Sequence, residues 1–484
     1  MKYIFLVFFS VVIISSCKND YTVDQHLKEE VVIVPDYKNI TVPYNIAPLN
    51  FSVKGEKLSF VKYEVDDHSL VVKASNNQTS VPIKEWHDFL QQAKGKSVNV
   101  TVVVDRKGNQ VAFAPFSIEV STDVIDEYIA YRLIEPGYEI WNQMGIYQRN
   151  LTNFDQSVII ENTSTGNNCM NCHSFCNWNS RHYMFHMRST YGGTVIVDED
   201  QIDFIDTKVK ETISPLVYPY WHPSGNYIAF STNKTSQGFH PTQRVEVFDK
   251  ASDVIVYNVK EHLIISSPRI AQDGAYETFP AFSPDGKFLY FCSAKAKSVP
   301  DSIQNLKYNL CRIPFDEGSG HFGKTIDTLF FADKENKSFS FPRISPDGRY
   351  LLGTVSAYGT FPIWHKDADL YVIDLHSGEG RYAENVNSTD TESYHSWSSS
   401  GRWAIFSSRR IDGLYTRPYI VHFSADGRFG NPFLLPQKDA CYYQTLLKSY
   451  NIPEFITGKV DNNSLSIYRR VQQQENKSRF QIVD

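Results

Sequence analysis

The sequence predicts an all-β protein: a small N-terminal β-rich domain followed by a β-propeller of about six blades. Three observations carry this. One turn recurs in Tyr220-Trp-His-Pro-Ser-Gly-Asn-Tyr-Ile-Ala-Phe-Ser, Ala281-Phe-Ser-Pro-Asp-Gly-Lys-Phe-Leu-Tyr-Phe-Cys, Arg343-Ile-Ser-Pro-Asp-Gly-Arg-Tyr-Leu-Leu-Gly-Thr and Ser396-Trp-Ser-Ser-Ser-Gly-Arg-Trp-Ala-Ile-Phe-Ser. In each, a strand ends on an apolar residue, Pro or a polar residue sets the turn, Gly takes positive φ and an apolar strand returns. The turn glycines, 225, 286, 348 and 401, lie 61, 62 and 53 residues apart, enough for one four-stranded unit each. Aromatic residues make up 14% of the chain, with 29 Tyr and 32 Phe, which suits sheets buried on both faces. At that spacing, residues 123–484 hold about six blades. A weaker copy, Cys176-Asn-Trp-Asn-Ser-Arg-His-Tyr-Met-Phe-His-Met, aligns if Arg181 takes the Gly position.

In chain order, residues 1–16 read as an export signal: Lys2, then an apolar run from Ile4 to Ile14, then small residues. The run is shorter than the roughly 18 apolar residues a membrane span needs. Cys17 directly after Ser15-Ser16 resembles a bacterial lipobox, and that resemblance implies a lipidated Cys17 holding the protein to a membrane. Residues 17–30 are polar and read as a tether. Residues 31–122 contain short alternating runs separated by Gly and Asn turns, with one helix where Pro82 precedes Ile83, Trp86, Phe89 and Leu90 at helical spacing. Residues 125–162 are again strand-like and lead without a linker into the next feature.

That feature is Cys169-Met170-Asn171-Cys172-His173, the Cys-x-x-Cys-His pattern of covalent c-type haem. Two thiols three positions apart suit thioethers to the two vinyl groups, and His173 follows as an axial ligand. The residues also leave open a Cys169–Cys172 disulfide, and a zinc site with Cys176 as a third thiolate. If 182–187 is a strand, side chains alternate, so His182, Met184 and His186 share one face and Tyr183, Phe185 and Met187 the other. The expected sixth iron ligand comes from the first set. Met184 is favoured because a thioether suits an apolar pocket, with His182 and His186 as alternatives. Of the seven cysteines, Cys292 and Cys311 sit in neighbouring strand-like runs and are expected to be able to pair, whereas Cys176 and Cys441 have no evident partner.

The repeated turn and the later Asp369-Leu-Tyr-Val-Ile-Asp-Leu resemble the TolB-like (WD40-like) propeller repeat over roughly residues 170–430. The whole chain is similar to exported bacterial lipoproteins that join a Cys-x-x-Cys-His motif to such a propeller. That resemblance implies a cell-envelope protein, anchored at the outer membrane through Cys17 on its periplasmic or surface side. Its haem would serve electron transfer or redox sensing, and its propeller face would dock an envelope protein or redox partner. The competing class is a cofactor-free scaffold for envelope proteins or glycans.

A net charge of −6 without a basic patch excludes the usual nucleic-acid binders. No catalytic set stands out: there is no phosphate loop, no Gly-x-Ser-x-Gly elbow and no marked carboxylate pair. A weaker candidate, a metal or polar-ligand site in the channel, would use His222, His365, Asp367, Asp369 and His395. Arg409, Arg410 and Asp412 are candidates for reading an acidic group.

Overall fold

The computed structural model describes residues 21–137, 142–473 and 476–484. The expected signal and Cys17 lie outside them. Six blade sheets surround a channel, as the turn spacing predicts. Blade 2 spans residues 170–206, blade 3 residues 216–266, blade 4 residues 275–330, blade 5 residues 338–382 and blade 6 residues 392–434. Each runs outward from its first strand. Blade 1 takes three strands from Tyr128–Ile134, Gly145–Asn150 and Gln156–Glu161, and its innermost strand from Ser449–Ile456 near the other end of the chain. Antiparallel pairing of Tyr128 with Ile456 and Ile134 with Ser449 therefore closes the ring. Beyond that closure, Asn476–Lys477 and Arg479–Ile482 lie parallel along the outer strands of blades 2 and 3.

The recurring turns form as their chemistry dictates. Gly225, Gly286, Gly348 and Gly401 have φ of 75°, 71°, 73° and 65°. Each donates its N–H to the residue three before it, His222, Ser283, Ser345 and Ser398, at 2.8–2.9 Å. Blade 2 departs from the expected alignment: Arg181 does not take the Gly role, and the left-handed residues there are Asn177 (φ 49°) and Trp178 (φ 59°). Its turn is a short 3-10 segment, Cys176–Trp178.

In the N-terminal domain, Leu58–Val65 pairs with His68–Lys73 and Ser97–Arg106. Helix Ile83–Ala93 buries Trp86, Phe89 and Leu90, as the spacing predicts, and the Trp86 indole donates to the Ile46 carbonyl at 3.1 Å. The tether is shorter than expected, because Gln25–Glu30 joins this sheet as a parallel edge strand beside Asn109–Ala114. One apolar core runs from Val61 and Trp86 through to Trp403, Tyr419 and Phe433 of blade 6. His422 and Asp123, 2.7 Å apart, add a polar contact at this junction.

Cys292 and Cys311 are unpaired, contrary to expectation. Register explains this: Cys311 lies opposite Phe291, and Cys292 opposite Leu310, so the two thiols point to opposite faces of blade 4.

Candidate functional site

The channel is built by a device repeated in every blade. Each innermost strand carries one non-glycine residue in the left-handed region: Cys172, Tyr218, Phe279, Phe341, Tyr394 and Ile452, all with φ of 51–52°. At each, the pairing with the neighbouring strand slips, which marks a bulge. Such φ values are uncommon outside glycine and costly for bulky residues, so the surrounding ring must impose them. Tyr218, Phe279, Phe341 and Tyr394 pack in an arc, with successive ring centroids 4.6, 4.0 and 5.3 Å apart. Three residues past the bulge, Trp221 and Trp397 donate their indole N–H to the Ser174 and Arg343 carbonyls of the preceding blade. These bonds tie neighbouring blades together.

The bulge ring forms a waist between two cavities. A wider one of about 850 Å3 lies where the innermost strands begin. A narrower one of about 250 Å3 lies where they finish. Cys172, Tyr218, Tyr394 and Ile452 border both. Over the wider cavity, the long hairpin of blade 3 (Tyr227–His240 and Arg244–Asn258) reaches across to blade 1, where Gln237 donates to the Gly137 carbonyl at 3.0 Å. Glu246 anchors this hairpin to blade 5 through His365 at 3.0 Å and Tyr358 at 2.9 Å.

The Cys-x-x-Cys-His segment is the innermost strand of blade 2 and the bend before it. In a regular strand, residues three apart point to opposite faces. The bulge at Cys172 undoes that alternation, and Cys169 and Cys172 both border the wider cavity. The six cysteines among the described residues are all free, so the expected alternative of a Cys169–Cys172 disulfide is not formed. Cys176 lies in the apolar layer between blades 2 and 3 with a thiol pushed up to about 12 by burial, so the structure does not assemble the zinc alternative. Guanidinium groups of Arg132, Arg188 and Arg409 border the wider cavity as well. Arg409 is buried against Trp364, its guanidinium carbon 3.2 Å from the ring centroid, and burial holds its pKa down at about 9.

His173 follows the bulge and faces the narrower cavity. The equivalent residue is Pro219, Pro280, Pro342 and Pro453 in four blades and His395 in blade 6. His395 has its Nε2 3.0 Å from the Leu352 carbonyl. His173, buried to 3% exposure, makes no hydrogen bond of normal geometry through either ring nitrogen, and only a weak polar contact with the Ile452 backbone. Burial, and in smaller part Arg132, holds its pKa down at about 3, so the ring is neutral at pH 7.

Strand His182–Met187 alternates as expected, with Tyr183, Phe185 and Met187 in the core shared with blade 1. Met184 lines neither cavity, in contrast to its expected role. It is fully buried with Cys176, Leu216, Trp221 and Ile228 between blades 2 and 3. His182 packs edge-on against Trp221. His186 and Met187, at the end of the strand, reach the wider cavity. His186 places Nδ1 3.3 Å from Thr194 Oγ1, which leaves Nε2 for a ligand.

The weaker channel site does not assemble. His222 lies in its turn, with Nδ1 on Ser224 and Nε2 on the Gly286 carbonyl, and His365 is held by Glu246. Asp367 accepts the Ala357 N–H. No cluster of three or more His, Cys, Asp or Glu able to hold a metal occurs among the described residues. Arg410 pairs with Glu392, and Asp412 accepts the Leu414 and Tyr415 N–H groups; both line a separate cavity between the N-terminal domain and blade 6, so of the three acid-reading candidates only Arg409 faces the channel.

No protein-family model and no curated protein matches the chain. Among solved structures it is similar to a puromycin-hydrolysing peptidase of Mycobacterium tuberculosis, at 13% identity and TM-score 0.35, covering 82% of this chain and 57% of that one. It is also similar to prolyl oligopeptidase B from Galerina marginata, at 10% identity and TM-score 0.34, covering 81% and 54%. A DUF4784 family protein from Bacteroides caccae matches at 9% identity and TM-score 0.28, covering 73% and 95%. The chain thus spans little more than half the length of the peptidases. The fold is all-β and propeller-like.

Proposed function

We propose that this chain is an envelope lipoprotein, anchored through Cys17, whose channel carries a covalent c-type haem for electron transfer or redox sensing. The propeller face serves as its docking platform. The observation that carries the reading is the contrast between two equivalent residues: His395 lies 3.0 Å from a backbone carbonyl, whereas His173, next in sequence to a cavity-facing thiol, makes no hydrogen bond of normal geometry. Buried imidazoles without partners are rare and point to a missing ligand.

The donor set fits the group. Cys169 and Cys172 would supply the thioether sulfurs from the wider cavity, and His173, held neutral, would supply an imidazole lone pair from the narrower side of the waist, which Cys172 also borders. His186 and Met187, rather than Met184, are the residues of the following strand that border the same cavity as both thiols, and of these His186 belongs to the face expected to supply the ligand. Arg132, Arg188 and Arg409 place positive charge where acidic substituents of a porphyrin need counterions. At about 850 Å3 the cavity is within the range of roughly 300–1,000 Å3 typical of small-molecule and cofactor sites. When bound, the group supplies one-electron redox chemistry. The chain's own residues orient it, exclude water and set its polarity.

The test is a pyridine haemochrome spectrum of the denatured chain, purified from a host expressing the cytochrome c maturation system. Haem that stays on the polypeptide is the expected result. A colourless protein supports the cofactor-free scaffold instead.

A further inference from the structure

The narrower cavity is chemically distinct from the wider one. Its walls are Tyr220, Trp221, Phe282, Ile344 and Trp397, with His173 and His395, and the side chains of Arg343 from blade 5 and Glu454 from blade 1, on either side of blade 6, also line it. Both occupy the position two residues past the bulge, which in the other blades carries Ser174, Tyr220, Ala281 and Ser396. The ring therefore presents one cation and one carboxyl among small and aromatic neighbours.

Arg343 is the unsatisfied member. Its guanidinium lies over the Tyr220 ring, 5.0 Å from the centroid, and donates to the carbonyl of its own neighbour Pro342 at 2.8 Å. None of the ion pairs among the described residues includes it. A largely desolvated guanidinium without a counterion is costly, and the group has donors to spare. Glu454 does not serve as that counterion: it accepts the Phe175 N–H at 3.2 Å, and burial pushes its pKa up to about 8. With the carboxyl pushed towards its neutral form, Arg343 is the cation of the cavity.

The exit from this end is narrow. Segment Cys176–Trp178 crosses it. Asn177 donates to the Pro223 carbonyl of blade 3, the Trp178 indole donates to the Trp397 carbonyl of blade 6, both at 2.7 Å, and Thr457 donates its N–H to the Trp178 carbonyl at 2.9 Å. Two successive left-handed non-glycine residues hold this strap in place. With about 250 Å3 behind it, the space suits a single-ring molecule rather than a polymer.

We propose that this cavity binds a small aromatic or apolar monocarboxylate, its carboxylate paired with Arg343 and its ring held between Tyr220, Trp221 and Trp397. The site rests on Arg343 and its aromatic walls; it shares only the Cys172–His173 wall with the haem reading.

Trp178, Trp221 and Trp397 border the cavity and make it self-reporting. The full mature chain is titrated with benzoate at pH 7 while tryptophan fluorescence is followed, with benzylamine as the contrasting probe. The expected result is a saturable change with benzoate and none with benzylamine. Arg343→Gln should weaken benzoate binding at least tenfold, and Glu454→Gln should retain it. Arg343→Lys, which keeps the charge but loses the planar fork, should fall between. Thermal melts of each variant identify any that fail to fold, and the benzoate–benzylamine contrast on the unaltered chain needs no variant. No response to benzoate, or a response to benzylamine that Glu454→Gln abolishes, overturns the proposal.

Discussion

Glu392 and Arg410 form an ion pair at 2.9 Å in which the carboxylate has no exposed surface. The same oxygen accepts the hydroxyls of Ser388 at 2.7 Å and Ser408 at 2.8 Å, and the other accepts the Ser388 N–H. Every member of this network belongs to blade 6 or the loop leading into it. Removing one partner strands the others without water. Glu392→Ala should therefore destabilise the protein by about 3–5 kcal/mol, read as a shift in urea midpoint. A change under about 1 kcal/mol would show that solvent reaches the site.

The nested turns give a sharper backbone test. Gly286 has φ of 71°, and a Cβ there would sit on Nε2 of His222, the atom 3.1 Å from the Gly286 carbonyl. Gly286→Ala should cost about 2 kcal/mol from left-handed strain alone, with displacement of His222 adding to it. Gly348→Ala, with nothing near the added atom, should show the strain without the clash. Equal losses at both sites would remove the packing part of this account.

For the haem reading, the two candidates on strand His182–Met187 should behave oppositely. In haem-loaded protein, His186→Ala should convert a low-spin visible spectrum to high-spin. Met184→Ala should leave the spectrum unchanged while lowering stability by about 2–5 kcal/mol, as for any buried large-to-small change. The reverse pattern would return Met184 to the iron.

Stability should peak in mildly acidic to neutral solution, for two buried groups with opposite signs. Burial, and in smaller part Arg343, holds His395 down at about 3 against an ordinary 6.5, so the unfolded chain binds the extra proton between those values. Its share of stability is lost as pH falls from about 6.5 towards 3. Burial raises Glu277 to about 8, so the folded chain holds the extra proton above 4.5, and stability is lost as pH rises from there towards 8. Each contributes up to about 1.4 kcal/mol per pH unit in its window. Glu277→Gln should roughly halve the slope of the alkaline limb of a urea-midpoint profile, the rest belonging to Glu454, and leave the acid limb in place.

What the sequence made legible is what short stretches determine. The Pro-Asp-Gly turns, their spacing and the helix at Ile83–Ala93 depend on neighbours along the chain, and they appear where expected. The strand of residues 182–187 also alternates as read, but alternation says nothing about which neighbour covers a face, so Met184 went to the layer between blades. The waist was less visible. Its signature is an aromatic–Pro pair, Tyr218-Pro219, Phe279-Pro280 and Phe341-Pro342, each seven residues from the aromatic to the turn glycine. Reading that pair would have aligned Cys172-His173 with Tyr394-His395 and placed the motif on an innermost strand. The placing of Arg343 and Glu454 in one cavity had no local signal, since ring closure alone brings them together.

That closure also fixes an order of events. The innermost strand of blade 1 is made after every other blade strand of the ring, so Tyr128–Ile134 waits with an open edge until residues 449–456 arrive. Until then the wall formed by Asn451 and Ile452 is missing, and the thiols of Cys169 and Cys172 stand open to large molecules. Afterwards Cys172 is buried and Cys169 keeps partial exposure beside a cavity crossed by the blade 3 hairpin. On the haem reading, joining both thiols to one group would be easiest on the incomplete ring, so attachment would compete with closure.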